Sequence, residues 1–361
     1  MFILNQTHFK ITNSKNSRIN TLLTITAKFT NPSILYNMLS SAFYFALFMT
    51  LVKPIACARN EFQPYFFDNI NSKHPYTSIT RPSPEFGRNE LEGPEGVVAD
   101  DWGNVYIADT WNHRIQKYDK NGQLVSSWGA KGSGDEEFDQ PKGMAIFNGV
   151  LHIADVYNNR IQRTDLEGNF LESIGSPTQS DFAEPADISF DRQGNIYVVE
   201  YNSGRIRKLD KDWTHVSDFN KACRTPGQLR GSSRAASSVA VDSEGNVYVA
   251  CIDHKVVKYS STGDALATIL IKGGTPQSIA VDSEDNIFVV DSANKKVLMY
   301  DTSFDYIGCF GEFPFAAYIS IGKDDHIYVA DSITSHVEKF MMGPRKSGDF
   351  DTDQSIQAMA R

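Results

Sequence analysis

The chain has 361 residues, 35 of them basic and 44 acidic, for a formal net charge of −9. The first 58 residues hold five of the basic groups and no acidic ones, so the remainder carries 30 basic against 44 acidic groups, a net of −14. A body that acidic does not settle spontaneously on nucleic acid or an anionic lipid surface, and four cysteines with no Cys-x-x-Cys spacing leave no zinc knuckle or dithiol redox pair.

Residues 1–58 have the layout of an export signal with a long basic front. Lys10, Lys15, Arg18 and Lys28 precede an uncharged stretch at 31–52, whose strongly apolar part is residues 42–52. Ala56-Cys57-Ala58 then places small residues where a signal peptidase reads. A cleaved signal or a lipid attached at Cys57 is expected. The alternative is a membrane anchor through residues 31–58, but its strongly apolar part is short against the ~20 residues needed to span. Met38 offers a second start for a shorter signal. The expected location is therefore exported: secreted, periplasmic or in the cell envelope.

Residues 59–93 are rich in Pro, Asn and Ser and read as a linker with one strand at 76–81. From residue 94 the pattern changes. Residues 94–129 contain four short strand-like runs, at 96–99, 105–109, 113–118 and 123–128, separated by turns. Two turns have a readable mechanism: at 100–104 and 119–122 an Asp can accept from nearby backbone N–H groups and a Gly supplies positive φ.

The meander recurs at 141–175, 185–219, 236–270, 276–311 and 316–340. An acidic residue ends the second strand of each unit, at Asp109, Asp155, Glu200, Asp291 and Asp331, with Cys251 as the one departure. A period of 40 to 50 residues with four strands per unit predicts an all-β fold, a six-bladed β-propeller of four-stranded antiparallel blades over 94–340. The sixth unit has only three clear strands. The segment 76–81 falls where a fourth belongs, so the N-terminal strand is expected to close the ring and remove an exposed edge. Residues 341–361 are polar and unpatterned and read as a disordered tail.

The Pro-x-Gly-Val start, the Gly-Asn-Val-Tyr-Ile-Ala-Asp of residues 103–109 and the Asn-His-Arg-Ile-Gln of 112–116 carry a resemblance to the NHL-repeat family. It covers residues 94–340 and loosens in the later units, where Asp285 and Asp325 stand in for the turn glycine. The resemblance implies the propeller fold and leaves function open, since such propellers serve as lyases, sensor domains, substrate readers and RNA-binding modules.

In a propeller the first strand of each blade lines the channel, and the loops leading into it share a face with the loops joining second and third strands. This gathers Glu95, Lys142, Asp187 and Gln277 with Trp111, Tyr157 and Tyr201 as candidate ligand-binding residues. A solvated channel, and packing of the aromatics on adjacent loops, are the plainer readings. The insertion at 220–236 adds Arg230 and Arg234, in a loop with Lys221 and Arg224 and no acid, as either an anionic-ligand contact or a solvated loop. The repeated acids are expected to fix the following loop rather than bind metal, and Arg114, Arg160 and Arg205 to serve the repeat, pairing with carboxylates between blades.

No catalytic residue is identified. The amidating lyases that resemble this chain hold zinc on histidines just after the blade-leading proline, and here those places are Glu95, Lys142, Ala186, Ser237, Gln277 and Ala317. Glu95 and Asp187 are too few for the oxygens calcium favours in lactonase propellers. No cofactor is expected, and a Cys223–Cys251 disulfide is permitted. The reading is a monomeric, non-catalytic recognition module for a protein, peptide or glycan. The alternatives are a metal-dependent lyase or hydrolase and an RNA-binding module.

Overall fold

The computed structural model describes residues 65–66, 76–80, 85–176, 182–219, 223 and 236–344. The leader, the tail beyond 344 and the insertion with Arg230 and Arg234 lie outside the described residues. All described residues belong to one compact unit, Cys57–Arg361.

Each repeat folds as one antiparallel sheet. Blade 1 runs Gly96–Ala99, Val105–Asp109, Arg114–Tyr118 and Leu124–Trp128, each strand paired with the next. Its third strand starts one residue later than the sequence suggests because His113 takes a left-handed φ of 55° and ends the loop there. The turns work as read. Asp100 Oδ1 accepts from the backbone N–H groups of Trp102 and Asn104 at 3.0 and 2.8 Å, and Gly103 supplies a φ of 85°. Asp285 and Asp325, in place of glycine, adopt the same conformation at φ 65° and 55°, and their carboxylates bind Ser243 and Ser283 of the preceding blade.

The inner strands of blades 2 to 6 are Pro141–Phe147, Pro185–Phe190, Ala236–Val241, Pro276–Val281 and Ala316–Ile321. Every second strand is buried along almost its whole length, which follows from sheets packed on both faces. In blade 1, Val105 and Ile107 point into the seam with blade 6 and Tyr106 and Ala108 into the seam with blade 2. There are six such apolar seams, one between each pair of neighbouring blades including 6 and 1. Each fully buried Val, Ile or Phe contributes roughly 1.5–3 kcal/mol, so the ring is held by its seams.

Hydroxyls hook successive blades near the same end. Thr110 Oγ1 donates to Pro141 O at 2.8 Å, Ser237 Oγ to Pro276 O at 3.0 Å, and Ser332 Oγ to Pro94 O at 2.9 Å across the join of blades 6 and 1.

The last blade differs in detail from expectation. Its third strand, His336–Pro344, runs past residue 340, so residues 341–344 belong to the sheet and not to the tail. Tyr76–Thr80 pairs antiparallel with that extension, Met341 to Pro344, and Tyr65–Phe66 pairs in turn with Tyr76–Thr80. Beside the rest of the strand the contact is an isolated bridge, Phe86 to Val337. Ile79 is fully buried in the seam of blades 5 and 6, and Phe86 in that of blades 6 and 1.

Candidate recognition face

The loops leading into the inner strands do lie beside the loops joining second and third strands. Trp111 N–H donates to Glu92 O, Tyr157 N–H to Asp139 O and Tyr201 N–H to Glu184 O, at 3.2, 3.2 and 2.9 Å. The repeated acid holds both together. Asp109 accepts from the Glu92 N–H at 2.6 Å on one side and from Asn112 Nδ2 and Arg114 Nε, at 3.0 and 2.7 Å, on the other. Asp155 does the same with the Asp139 N–H, Asn158 and Arg160, at 2.7, 2.9 and 2.8 Å. Asp291 and Asp331 bind the N–H groups of Thr275 and Phe315.

The arginines therefore pair within their own blade, Arg205 with Glu200 likewise, and not between blades. Five residues separate acid from arginine, which places them at the same end of adjacent strands, directly opposite in register. Blade 4 has no acid to do this. There Cys251 is instead disulfide-bonded to Cys223, with Cα atoms 5.4 Å apart, so a covalent link ties the upstream loop where a carboxylate does so in blades 1, 2, 5 and 6. Cys309 lies outside the disulfide.

The polar candidates are largely engaged with one another. Lys142 Nζ is 2.7 Å from Glu95 Oε2 and 5.6 Å from the Tyr201 ring centre, both charged side chains being about a fifth exposed. Gln277 holds the matching place in blade 5 and is partly buried.

Asp187 is 1% exposed, inside the hub and not at its mouth. It is the third residue of its inner strand, and the residues at the same level of all six blades form one layer: Gly96, Gly143, Asp187, Ser238, Ser278 and Tyr318. Tyr318 reaches from blade 6 to the opposite blade and donates to Asp187 Oδ1 at 2.6 Å. Ser238 Oγ and Val239 N–H donate to Oδ2 at 2.6 and 3.0 Å. The two glycines are required: a Cβ on Gly143 would sit 2.3 Å from Asp187 Oδ1, and one on Gly96 2.0 Å from Lys142 O. Burial pushes the Asp187 carboxyl up to about 6, against the hydrogen bonds from Ser238, Tyr318, Val239 and Ile188, which favour its charged form. The same burial, with Asp187 beside it, pushes the Tyr318 phenol well above its usual value.

The large side chains that stay open on this face are apolar. Trp111 and Tyr157 are 59% and 47% exposed, each standing two residues after the acid of its blade. The same position in blade 6 is Ile333, 66% exposed. Blades 6, 1 and 2 are consecutive around the ring, so these three side chains form an arc; the matching residues of blades 3 to 5 are Asn202, Asp253 and Ala293. Counting two residues from Asp331 finds Ile333 in the sequence, where the weaker repeat match of blade 6 hides it.

The described histidines are scattered. His113 Nδ1 accepts from the Gln140 N–H at 3.1 Å, tying blade 1 to blade 2. His152 is buried against Phe190 and Trp213, and His336 lies between Thr334 O and Glu338. Among the described residues no group of three or more His, Cys, Asp or Glu could hold a metal ion.

Six antiparallel blades, five of four strands and the last of five, an acid tethering two loops in most of them and a polar hub layer define a repeat propeller. The sequence model of the NHL repeat matches residues 91–118, and the chain resembles the NHL-repeat propeller family. It is 37% identical over 70 residues to the RING finger protein nhl-1 of Caenorhabditis elegans and 25% identical over 137 residues to the Drosophila melanogaster protein brain tumor. Those matches cover 18% and 37% of this chain but only 7% and 13% of the relatives, so the chain spans a small part of their length. Among solved structures it is similar to virginiamycin B lyase from Staphylococcus aureus, with 13% identity and a TM-score of 0.54 over 73% of this chain and 100% of that one. It is also similar to a gluconolactonase from Xanthomonas campestris, with 12% identity and a TM-score of 0.58 over 81% and 99%. At such identities the likeness is one of fold alone.

Proposed function

We propose that the chain is an exported, non-catalytic recognition module that binds a protein, peptide or glycan partner on the tethered-loop face, with Trp111, Tyr157 and Ile333 as anchors. The observation that carries this is the apolar arc. Three large side chains are held out to solvent at one repeat position on consecutive blades, while Glu95 and Lys142 are paired with each other. Acid tethers hold the loops of Trp111 and Tyr157 at two points, so ordering them on binding costs little, and aromatic anchors on rigid loops are the usual hot spots of interfaces. An apolar arc favours a protein or peptide over a glycan. The leader supports export through its apolar stretch at 42–52 and the small residues at 56 and 58.

The test is a displayed-peptide selection against the purified wild-type protein, with each selected peptide titrated against Trp111→Ala combined with Tyr157→Ala. Loss of at least about 2 kcal/mol of affinity, roughly 30-fold, with an unchanged melting temperature is expected. Peptides that bind the double variant as tightly as wild type would place the site elsewhere.

A further inference from the structure

Beyond the Asp187–Tyr318 layer the hub changes character. A cavity of about 380 Å³ continues along the axis, walled by Val98, Ile146, Phe190, Val241, Val281 and Ile321, one inner strand from each blade. These residues lie toward the far ends of the inner strands, and the cavity reaches Asp191 and Arg192. It therefore belongs to the face of the turns joining first and second strands, opposite the face of Trp111 and Tyr157. Its volume is in the range of small-molecule pockets, and apolar side chains from all six inner strands ring it, although about half of the surface it exposes is polar. Phe190 is stacked on Phe147 with ring centres 4.7 Å apart, so a flat aromatic surface borders the cavity on one side. One polar atom on the wall, Ser320 Oγ, is buried without a hydrogen-bond partner.

The surroundings of that cavity are strongly acidic. The turns at 100–104, 148–149, 191–195, 242–246, 282–286 and 322–326 carry ten carboxylates against two cations, Arg192 and Lys323, and seven of the ten belong to blades 4 to 6. Lys323 is already paired with Asp101 at 3.1 Å. Charge of one sign around an apolar, low-dielectric opening concentrates the opposite ion there. We propose that this pocket is a second binding site, distinct from the recognition face, for an organic cation: a compact apolar or aromatic body bearing an amine. The body would replace water against the ring of apolar side chains, and the ammonium would remain at the acidic rim. The Asp187–Tyr318 layer seals the other end, so such a ligand enters and leaves by the turn face.

The probes are 1-naphthylmethylammonium, the neutral 1-naphthylmethanol and the anionic 1-naphthoate, titrated calorimetrically into the full-length protein at low and moderate salt. The ammonium should bind at least about tenfold more tightly than the alcohol, the naphthoate more weakly than either, and the ammonium's advantage should shrink as salt rises. Val281→Trp, which pushes a ring into the cavity, should weaken binding of the ammonium and the alcohol at least about tenfold. Glu244→Lys with Glu284→Lys, both exposed turn positions, should weaken the ammonium about tenfold and leave the alcohol unchanged. Should Val281→Trp fail to fold by near-ultraviolet circular dichroism, the charge variant alone decides. Absence of ammonium binding to wild type overturns the proposal, as does equal binding of ammonium and alcohol, undiminished binding to a folded Val281→Trp, or indifference to the charge variant.

Discussion

Asp187→Asn tests whether the hub layer is dry. In the folded chain the carboxyl is pushed by burial from 3.8 up to about 6. Since the folded value lies above the unfolded one, the folded protein keeps a proton that the unfolded chain has already released. The contribution of this group is therefore fully present below about pH 4, declines as pH rises to about 6 and is flat beyond. A shift of about two units corresponds to roughly 3 kcal/mol lost across that window.

Asparagine cannot titrate, so it removes the slope at a fixed cost in geometry. Asp187 accepts from Tyr318 and Ile188 on one oxygen and from Ser238 and Val239 on the other. The amide NH₂ replaces the second oxygen. Ser238 can rotate to accept from it, but the Val239 N–H loses its acceptor, which costs about 1–3 kcal/mol. The variant should be less stable than wild type at pH 4, and the difference should move by roughly 3 kcal/mol in the variant's favour by pH 7, so that the gap closes or reverses. The difference between the two proteins is the quantity to read, because Asp282 is also raised to about 6 by burial and gives both the same slope. Denaturant midpoints followed by tryptophan fluorescence at half-unit pH steps suffice. A gap constant from pH 4 to 7 would mean that water reaches Asp187 and that the layer does not seal the hub.

Two further outcomes follow from the tethers. Asp155→Ala removes the acceptor for the Asp139 N–H and strands the Arg160 guanidinium, whose side chain is only 5% exposed; a loss of about 3–5 kcal/mol is expected in denaturant midpoint, with faster amide exchange at Asp139, whereas Asp155→Asn should lose less. Reducing the Cys223–Cys251 disulfide, which closes a loop with a sequence separation of 28, should lower stability by about 3–4 kcal/mol on the chain-entropy estimate, measured as the shift in denaturant midpoint with and without reductant.

The fold was legible because its determinants are local and repeated. Asp109 and its counterparts recur with the strand period, and the glycine and Asx turns announce where each strand stops. Even where the turn glycine is replaced, Asp285 and Asp325 keep the turn, because Asp tolerates the left-handed region. The hub was not legible, for the opposite reason. Tyr318 and Asp187 are 131 residues apart on opposite blades and neither is repeated, so no periodicity brings them together. The sequence gathers Glu95, Lys142 and Asp187 at the channel mouth as available charges, whereas the folded chain pairs the first two and buries the third inside the hub. Arg114 and Arg160 were misassigned to contacts between blades because strand register, which puts each opposite its own acid, is set by pairing and not by spacing from the next repeat.

That one buried layer also decides how the two faces relate. An aqueous channel would put the recognition face and the apolar cavity in one compartment, where a small cation could reach both ends. A residue bridging the axis separates them, and Tyr318 does so with a hydrogen bond to Asp187 from the far side of the ring. Ser238 and Ser278 extend the bridge to blades 4 and 5, since Ser238 Oγ accepts from the Ile279 N–H and Ser278 Oγ from the Ile319 N–H, each at 3.2 Å. Four of the six blades are thus joined through a layer one residue deep. A ligand on either side can influence the other only by shifting those inner strands, and each is also fixed by a seam of apolar side chains. Close-packed seams resist small displacements, so binding at the acidic end should leave affinity at the apolar arc unchanged as long as Tyr318 and Asp187 remain in contact.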